Sequence, residues 1–399
     1  MHISLPISRI LRPSSMALFA VLLSCCGWLC PDFGILRKGF TVPEQPGPLA
    51  WFILVSWYVL VFVSLSLGQR LGVLFTGARS GHSPPSLDSV VIYRIFTFLA
   101  AFGTISTFVR IFQTLSVPQV ALYFYLGQGN HIKNTLYDNY SAGILSLRYL
   151  VVYSASLAIY RTIRLRKLTL LNLANIFLLA GTVLISSRLI LMATLATSVF
   201  LLTWRAGYIK INVIKAIALL AILFAMLSLL NSSRNRRFYE RRDLNFLQAG
   251  ISEIVTYLGS PFHVSIVAAR RLDEITAGGP ELYREYIDIE PELTTNSAFV
   301  HLHAQMGYCA WAYVSVICCS MGMLYSWLAS FGRSCFLLPS GAIIYACAEL
   351  WRLDLFQQGI FIVWIVCGIG VPAVFLLFSR RAAPLRTLRP DSELGPRQM

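Results

Sequence analysis

AIALLAILFAMLSLLNSSRNRRFYERRD, residues 216–243, joins an apolar run to a cluster of five arginines, one glutamate and one aspartate. With the residues from 211 onward, the run has the length of a bilayer crossing, about 20 residues for about 30 Å. If it spans a membrane, the side on which the arginines emerge sets the direction of the whole chain. That side is read from the other apolar runs and the charges between them.

The chain has 399 residues, 56% hydrophobic and 13% charged. So few charges cannot cover so much apolar side chain in water, and a bilayer is the natural solvent. The net charge of +15 does not indicate nucleic acid. The basic residues lie between apolar segments, where topology and anionic membrane lipids account for them. The nine cysteines lie in or beside apolar segments with no C-x-x-C pair, which leaves no disulfide framework and no metal set. No cofactor motif is present.

Hydropathy predicts ten spans, at 14–31, 49–68, 90–109, 144–161, 168–186, 188–205, 211–230, 298–330, 335–351 and 356–378. The eighth exceeds one crossing; it begins as a polar-faced turn near Ala298 and spans from about Gly307. Lys and Arg of the short loops orient the set. Arg9, Arg12, Arg70, Arg79, Arg161–Lys167, Arg205, Lys210, Arg333 and the arginines of the tail fall on one side, read as cytoplasmic. Most acidic residues fall on the other. The chain thus reads as an all-α polytopic membrane protein. Helices 1–7 occupy 1–230 with an outer loop at 110–143, a large outer loop follows at 231–297, helices 8–10 occupy 298–380, and a cytoplasmic tail 381–399.

The cluster after residue 230 is then on the outer face, against the positive-inside trend. Arg234, Arg237 and Arg241 lie at i, i+3 and i+7, on one helical face. The plain alternative is a helix end salted by Glu240 and Asp243. Within the large loop, 244–269 reads as two short helices on the membrane face, broken at Ser260-Pro261, with Thr294, Thr295 and Asn296 as N-caps for span 8. The tyrosines of the 110–143 loop read as an interfacial aromatic belt.

No carboxylate falls near a midplane, which argues against an ion-coupled transporter. Charge collects at the outer helix ends instead: Arg110, Arg148, Arg188, the 234–242 cluster and Arg352. Guanidinium groups at one level suit an anionic substrate at headgroup depth, and a lipid-linked diphosphate fits. The acid–base candidates at that level are His301, His303, Glu349, Asp354 and Glu253, with His263 in reserve. Asp288-Ile289-Glu290 reads as a solvated acidic turn.

Three segments resemble the bacterial oligosaccharide repeat-unit polymerases, the O-antigen polymerases. "GILSLRYLVV" (143–152) resembles that family's approach to span 4. "LISSRLILMATL" (184–195) resembles its small-small-Arg helix opening and points to Arg188. "TTNSAFVHLHAQMGYCAW" (294–311) resembles its Asn–aromatic–Gly segment and points to Asn296, Phe299 and Gly307. The acidic residue common before that glycine is Gln305 here, and the following glycine is Ala310; a base must therefore come from His301 or His303.

The resemblance implies a GT-C-like fold in the bacterial inner membrane. It implies transfer of a growing glycan from undecaprenyl diphosphate to a new lipid-linked repeat unit on the periplasmic face. Arg148, Arg188, Arg234, Arg237, Arg241 and Arg352 would hold the diphosphate, and Asn296 and Glu349 would face the acceptor. The implied partners are the lipid-linked oligosaccharide, membrane lipids, a chain-length regulator and a flippase. An O-antigen ligase, a flippase for the same lipid and a non-catalytic scaffold are the rival readings.

Overall fold

The computed structural model describes residues 10–30, 46–75, 84–125, 143–185, 188–204, 245–278 and 297–382. It also describes two four-residue strands and isolated positions between 132 and 228. Nearly all of this is helix. In chain order the helices are α1 (Pro13–Leu29), α2 (Pro48–Leu74), α3 (Val90–Thr114), α4 (Val117–Tyr125) and α5 (Val151–Arg164, entered through a 3-10 turn at Ile144–Leu150). They continue with α6 (Leu170–Ile185), α7 (Arg188–Thr203), α8 (Phe246–Arg270) and α9 (Leu272–Gly278). The last are α10 (Ala298–Met306), α11 (Cys309–Ser330), α12 (Leu337–Glu349) and α13 (Gly359–Ala382).

Among the described residues, α2, α3, α11 and α13 are long and apolar enough to cross a membrane, and four shorter apolar helices accompany them. This is the make-up of a multi-pass helical membrane protein. The long helices show apolar side chains outward, such as Phe52 on α2 and Phe98 on α3. The centre is built differently. In α5 every residue from Val151 to Ala158 is at most 1% exposed, and α12 is buried from Leu337 to Cys347. Lipid gives no hydrophobic drive between helices, so close packing and internal hydrogen bonds must hold them. Small residues supply the first: a Cβ on Gly68 of α2 would stand 2.0 Å from the Cys319 carbonyl oxygen of α11. Hydroxyls supply the second: Ser156 donates to the Thr194 carbonyl at 3.1 Å.

Helix ends sort to two ends of the bundle. At one, Tyr325 donates to the Leu11 carbonyl, and Arg333 reaches Tyr160 and pairs with Asp88 at 3.4 Å. At the other, Trp28, Trp51 and Phe262 pack together, as do Trp57, Phe299 and Trp311. The first end holds the basic short loops. A strand at His2–Leu5 pairs antiparallel with Ile209–Asn212, so the N-terminal segment meets the link after α7, two segments expected on one side.

Several sequence expectations need correction. Residues 211 and 212, expected to open span 7, belong to that strand; most of the rest of that span lies outside the described residues. Helix α3 runs five residues past 109 into the expected outer loop. Residues 246–270 form one helix, not two lying on the membrane face. Asn245 and Gln248 close a capping box at its start. Pro261 removes one backbone donor, but the half that follows it is buried against its neighbours and cannot bend away. Ser24 of α1 donates to the Leu258 carbonyl at 2.6 Å, fixing the crossing.

The N-cap of α10 is Ser297, which accepts from the Val300 N–H, and not the expected Thr294–Asn296. Ser265 gives its proton to the Pro261 carbonyl, so Ser297 donates to Ser265 at 2.7 Å. The expected break at Gly307 is present. Its φ of +55° ends α10, and α11 starts two residues later.

An alkaline phosphatase fusion at Gly278 is expected to be active and a green fluorescent protein fusion after Met399 to fluoresce. A fluorescent Gly278 fusion would overturn the orientation.

Candidate functional site

The candidate residues that can be followed meet at the end opposite the basic loops. α10 carries His301 and His303 there; α12 carries Glu349 and runs on to Arg352 and Asp354; the 3-10 turn before α5 carries Arg148.

His303 is fully buried between the rings of Phe299, Trp57 and Trp311. Its Nδ1 lies 2.7 Å from the Phe299 carbonyl, which fixes the proton on Nδ1. The other nitrogen, Nε2, is buried with no hydrogen-bond partner among the described residues. Burial pushes the ring pKa down, so it is held neutral. No incoming hydroxyl reaches it.

His301, one turn before Gln305, is exposed, and its Nε2 lies 2.9 Å from the Gln305 amide nitrogen. It lies within electrostatic reach of Asp354. Asp354 is 5% exposed and caps a short 3-10 turn by accepting from the Phe356 N–H at 3.0 Å. Its second oxygen accepts from Tyr313 of α11 at 3.0 Å. Burial raises its pKa, against the hydrogen bonds and His301. His301, an exposed candidate base, and this fixed carboxylate lie at the same end of the bundle; the imidazole meets the Gln305 amide, and Asp354 meets Phe356 and Tyr313.

Arg352 and Glu349 take each other. The guanidinium holds one carboxylate oxygen through Nη2 at 2.7 Å and Nε at 3.1 Å, and lies over the Tyr257 ring of α8 at 4.8 Å. Tyr345 donates to the other oxygen at 2.8 Å. Arg148, 1% exposed, donates to the hydroxyls of Thr107 and Tyr149 and lies 4.6 Å over the Tyr149 ring. Trp364 links the groups: its indole donates to the Tyr149 carbonyl and its ring meets Tyr345.

His263 accepts from the Trp28 indole at 3.3 Å in a buried position on α8. Arg188 opens α7, and its side chain is outside the described residues. Arg234, Arg237, Arg241, Asn296 and the Asp288–Glu290 turn lie wholly outside them. Among the described residues no three His, Cys, Asp or Glu side chains stand together as a metal set.

Sequence reading missed the four tyrosines, 149, 257, 313 and 345, that hold Arg148, Arg352, Asp354 and Glu349. Three local signals were available: Arg148 next to Tyr149, Tyr345–Glu349 at i+4 and Glu349–Arg352 at i+3. Tyr257 and Tyr313 arrive from distant helices. Two cavities, of about 670 and about 220 Å³, open at the other end of the bundle. No protein-family model, curated protein or solved structure matches the chain.

Proposed function

We propose that this protein is a polymerase of lipid-linked oligosaccharides, a ten-span GT-C-like glycosyltransferase of the bacterial inner membrane acting on its periplasmic face. The observation that supports the reading is the placement of exposed His301 at a bundle end that also holds buried Asp354, Arg148 and Arg352. Outside the cytoplasm no nucleotide sugar is at hand, so the donor must bring its own leaving group; undecaprenyl diphosphate is one.

In the proposed reaction the acceptor hydroxyl oxygen bonds to the anomeric carbon of the growing glycan as its bond to the diphosphate breaks. His301 takes the hydroxyl proton, and the Asp354 carboxylate stabilises the resulting imidazolium electrostatically. Negative charge on the departing diphosphate falls to arginines, with Arg188, Arg234, Arg237 and Arg241 as the proposed clamp and Arg148 as a further fixed positive charge.

Deletion of the gene, with surface glycan resolved by length, tests the reading. Single capped repeats are expected. Bare core would transfer the assignment to an O-antigen ligase or a flippase.

A further inference from the structure

The larger cavity has no part in that reaction. It opens at the arginine-rich end, among α1, α2, the end of α7 and the end of α11. Its lining includes two arginines, Arg12 and Arg70, and no aspartate or glutamate. Both guanidinium groups are on exposed residues at its rim.

Arg12 is also the N-cap of α1, in extended conformation, and its own side chain does not cap that turn. Pro13 has no N–H, and the N–H groups of the first turn have no acceptor within the helix. The positive end of a 17-residue helix therefore points at the same space as the two guanidinium groups. Ser14 forms part of the floor, buried, and its hydroxyl already accepts from the Gln69 amide at 3.3 Å. It therefore keeps its own proton to donate.

The wall beyond is apolar. Phe62 and Val73 of α2 line the cavity and are 37% and 61% exposed on the outside of the bundle. Trp204, at the end of α7, adds an indole of the kind that sits at headgroup depth. Donors and positive charge at one wall with apolar side chains at the next match a molecule that is anionic at one end and greasy at the other.

We propose that this cavity binds the phosphate of an anionic membrane lipid, on the face opposite the proposed transfer site. Arg12 and Arg70 embrace the phosphate, Ser14 and the first turn of α1 donate to it, and the acyl chains run along Phe62 toward the middle of the membrane. The site needs the chain to lie in a membrane but does not depend on the transfer reaction.

The test uses the full-length protein in mixed micelles, with lipid retention followed by native mass spectrometry and thermal unfolding. Wild type is expected to retain phosphatidylglycerol in preference to phosphatidylcholine and to melt higher with it. Arg12→Gln with Arg70→Gln should weaken retention about tenfold or more, the scale of losing charge-assisted hydrogen bonds. Arg94→Gln, on the exposed surface of α3 at the same end, should change nothing. The assignment is overturned if the double variant binds as wild type, or if Arg94→Gln loses as much. Stabilisation by inorganic phosphate equal to that by phosphatidylglycerol would replace the lipid with a soluble phosphate. Should the double variant not fold, the wild-type arm decides alone: equal retention of the two lipids sinks the proposal.

Discussion

Replacing His301 by alanine is expected to cut polymerisation in vitro by roughly 10²-fold, the scale of losing a general base. Donor binding should hardly change, because the imidazole acts on the acceptor. His303→Ala should behave otherwise. It empties a buried site among three aromatic rings and should cost on the order of 2–4 kcal/mol of stability. Whatever protein remains folded should turn over normally. Asp354 separates the two roles further. Burial raises its pKa from the ordinary carboxylate value of 3.8. A carboxyl raised on folding favours the folded state when protonated, so its contribution is greatest below the ordinary value and falls as pH rises past it. Asp354→Asn is therefore expected to keep or raise thermal stability at neutral pH while losing activity alongside His301→Ala. If His301→Ala polymerises at the wild-type rate, the base assignment is wrong.

Arg352→Ala is expected to destabilise the protein by about 3–5 kcal/mol, since it leaves the Glu349 carboxylate buried and uncompensated. The pair is hardly exposed, with side chains at 9% and 13%. Glu349→Gln with Arg352→Met should restore most of that loss by removing both charges. A double-mutant cycle in mixed micelles measures the coupling, and additive losses would refute it. Activity in the double variant gives a second answer. Full polymer from it would show that Arg352 serves the fold and that the diphosphate is held elsewhere.

Some of this was legible residue by residue. The break in span 8 was, because Gly307 follows a polar-faced turn and an unbroken helix from 298 to 330 is too long for one crossing; its φ of +55° supplies the reason. The N-cap was misjudged by one residue, since Ser297 wins through a partner, Ser265, that sequence does not reveal. The continuity of α8 was hidden as well. Pro261 is a helix breaker read locally, and only burial of the half that follows it overrides that preference.

Sequence alone determined the solvent, the helical class and the asymmetry of charge between the two ends, because each depends on composition along one segment at a time. A run of apolar residues declares its length whatever its neighbours are. Tertiary structure decided which helices stand at the centre. Hydropathy marks α2, α3, α11 and α13 most strongly, and these face outward, while α5, with Ser154, Ser156 and two arginines in its last turn, is buried. In lipid the outside must be greasy and the inside need only be small and hydrogen-bonded, so the hydropathy signal is strongest where the packing is least. Tertiary structure also separated two histidines two residues apart. On a helix they point about 200° from each other; the neighbours each one meets put His303 against Trp57 and left His301 exposed beside Gln305.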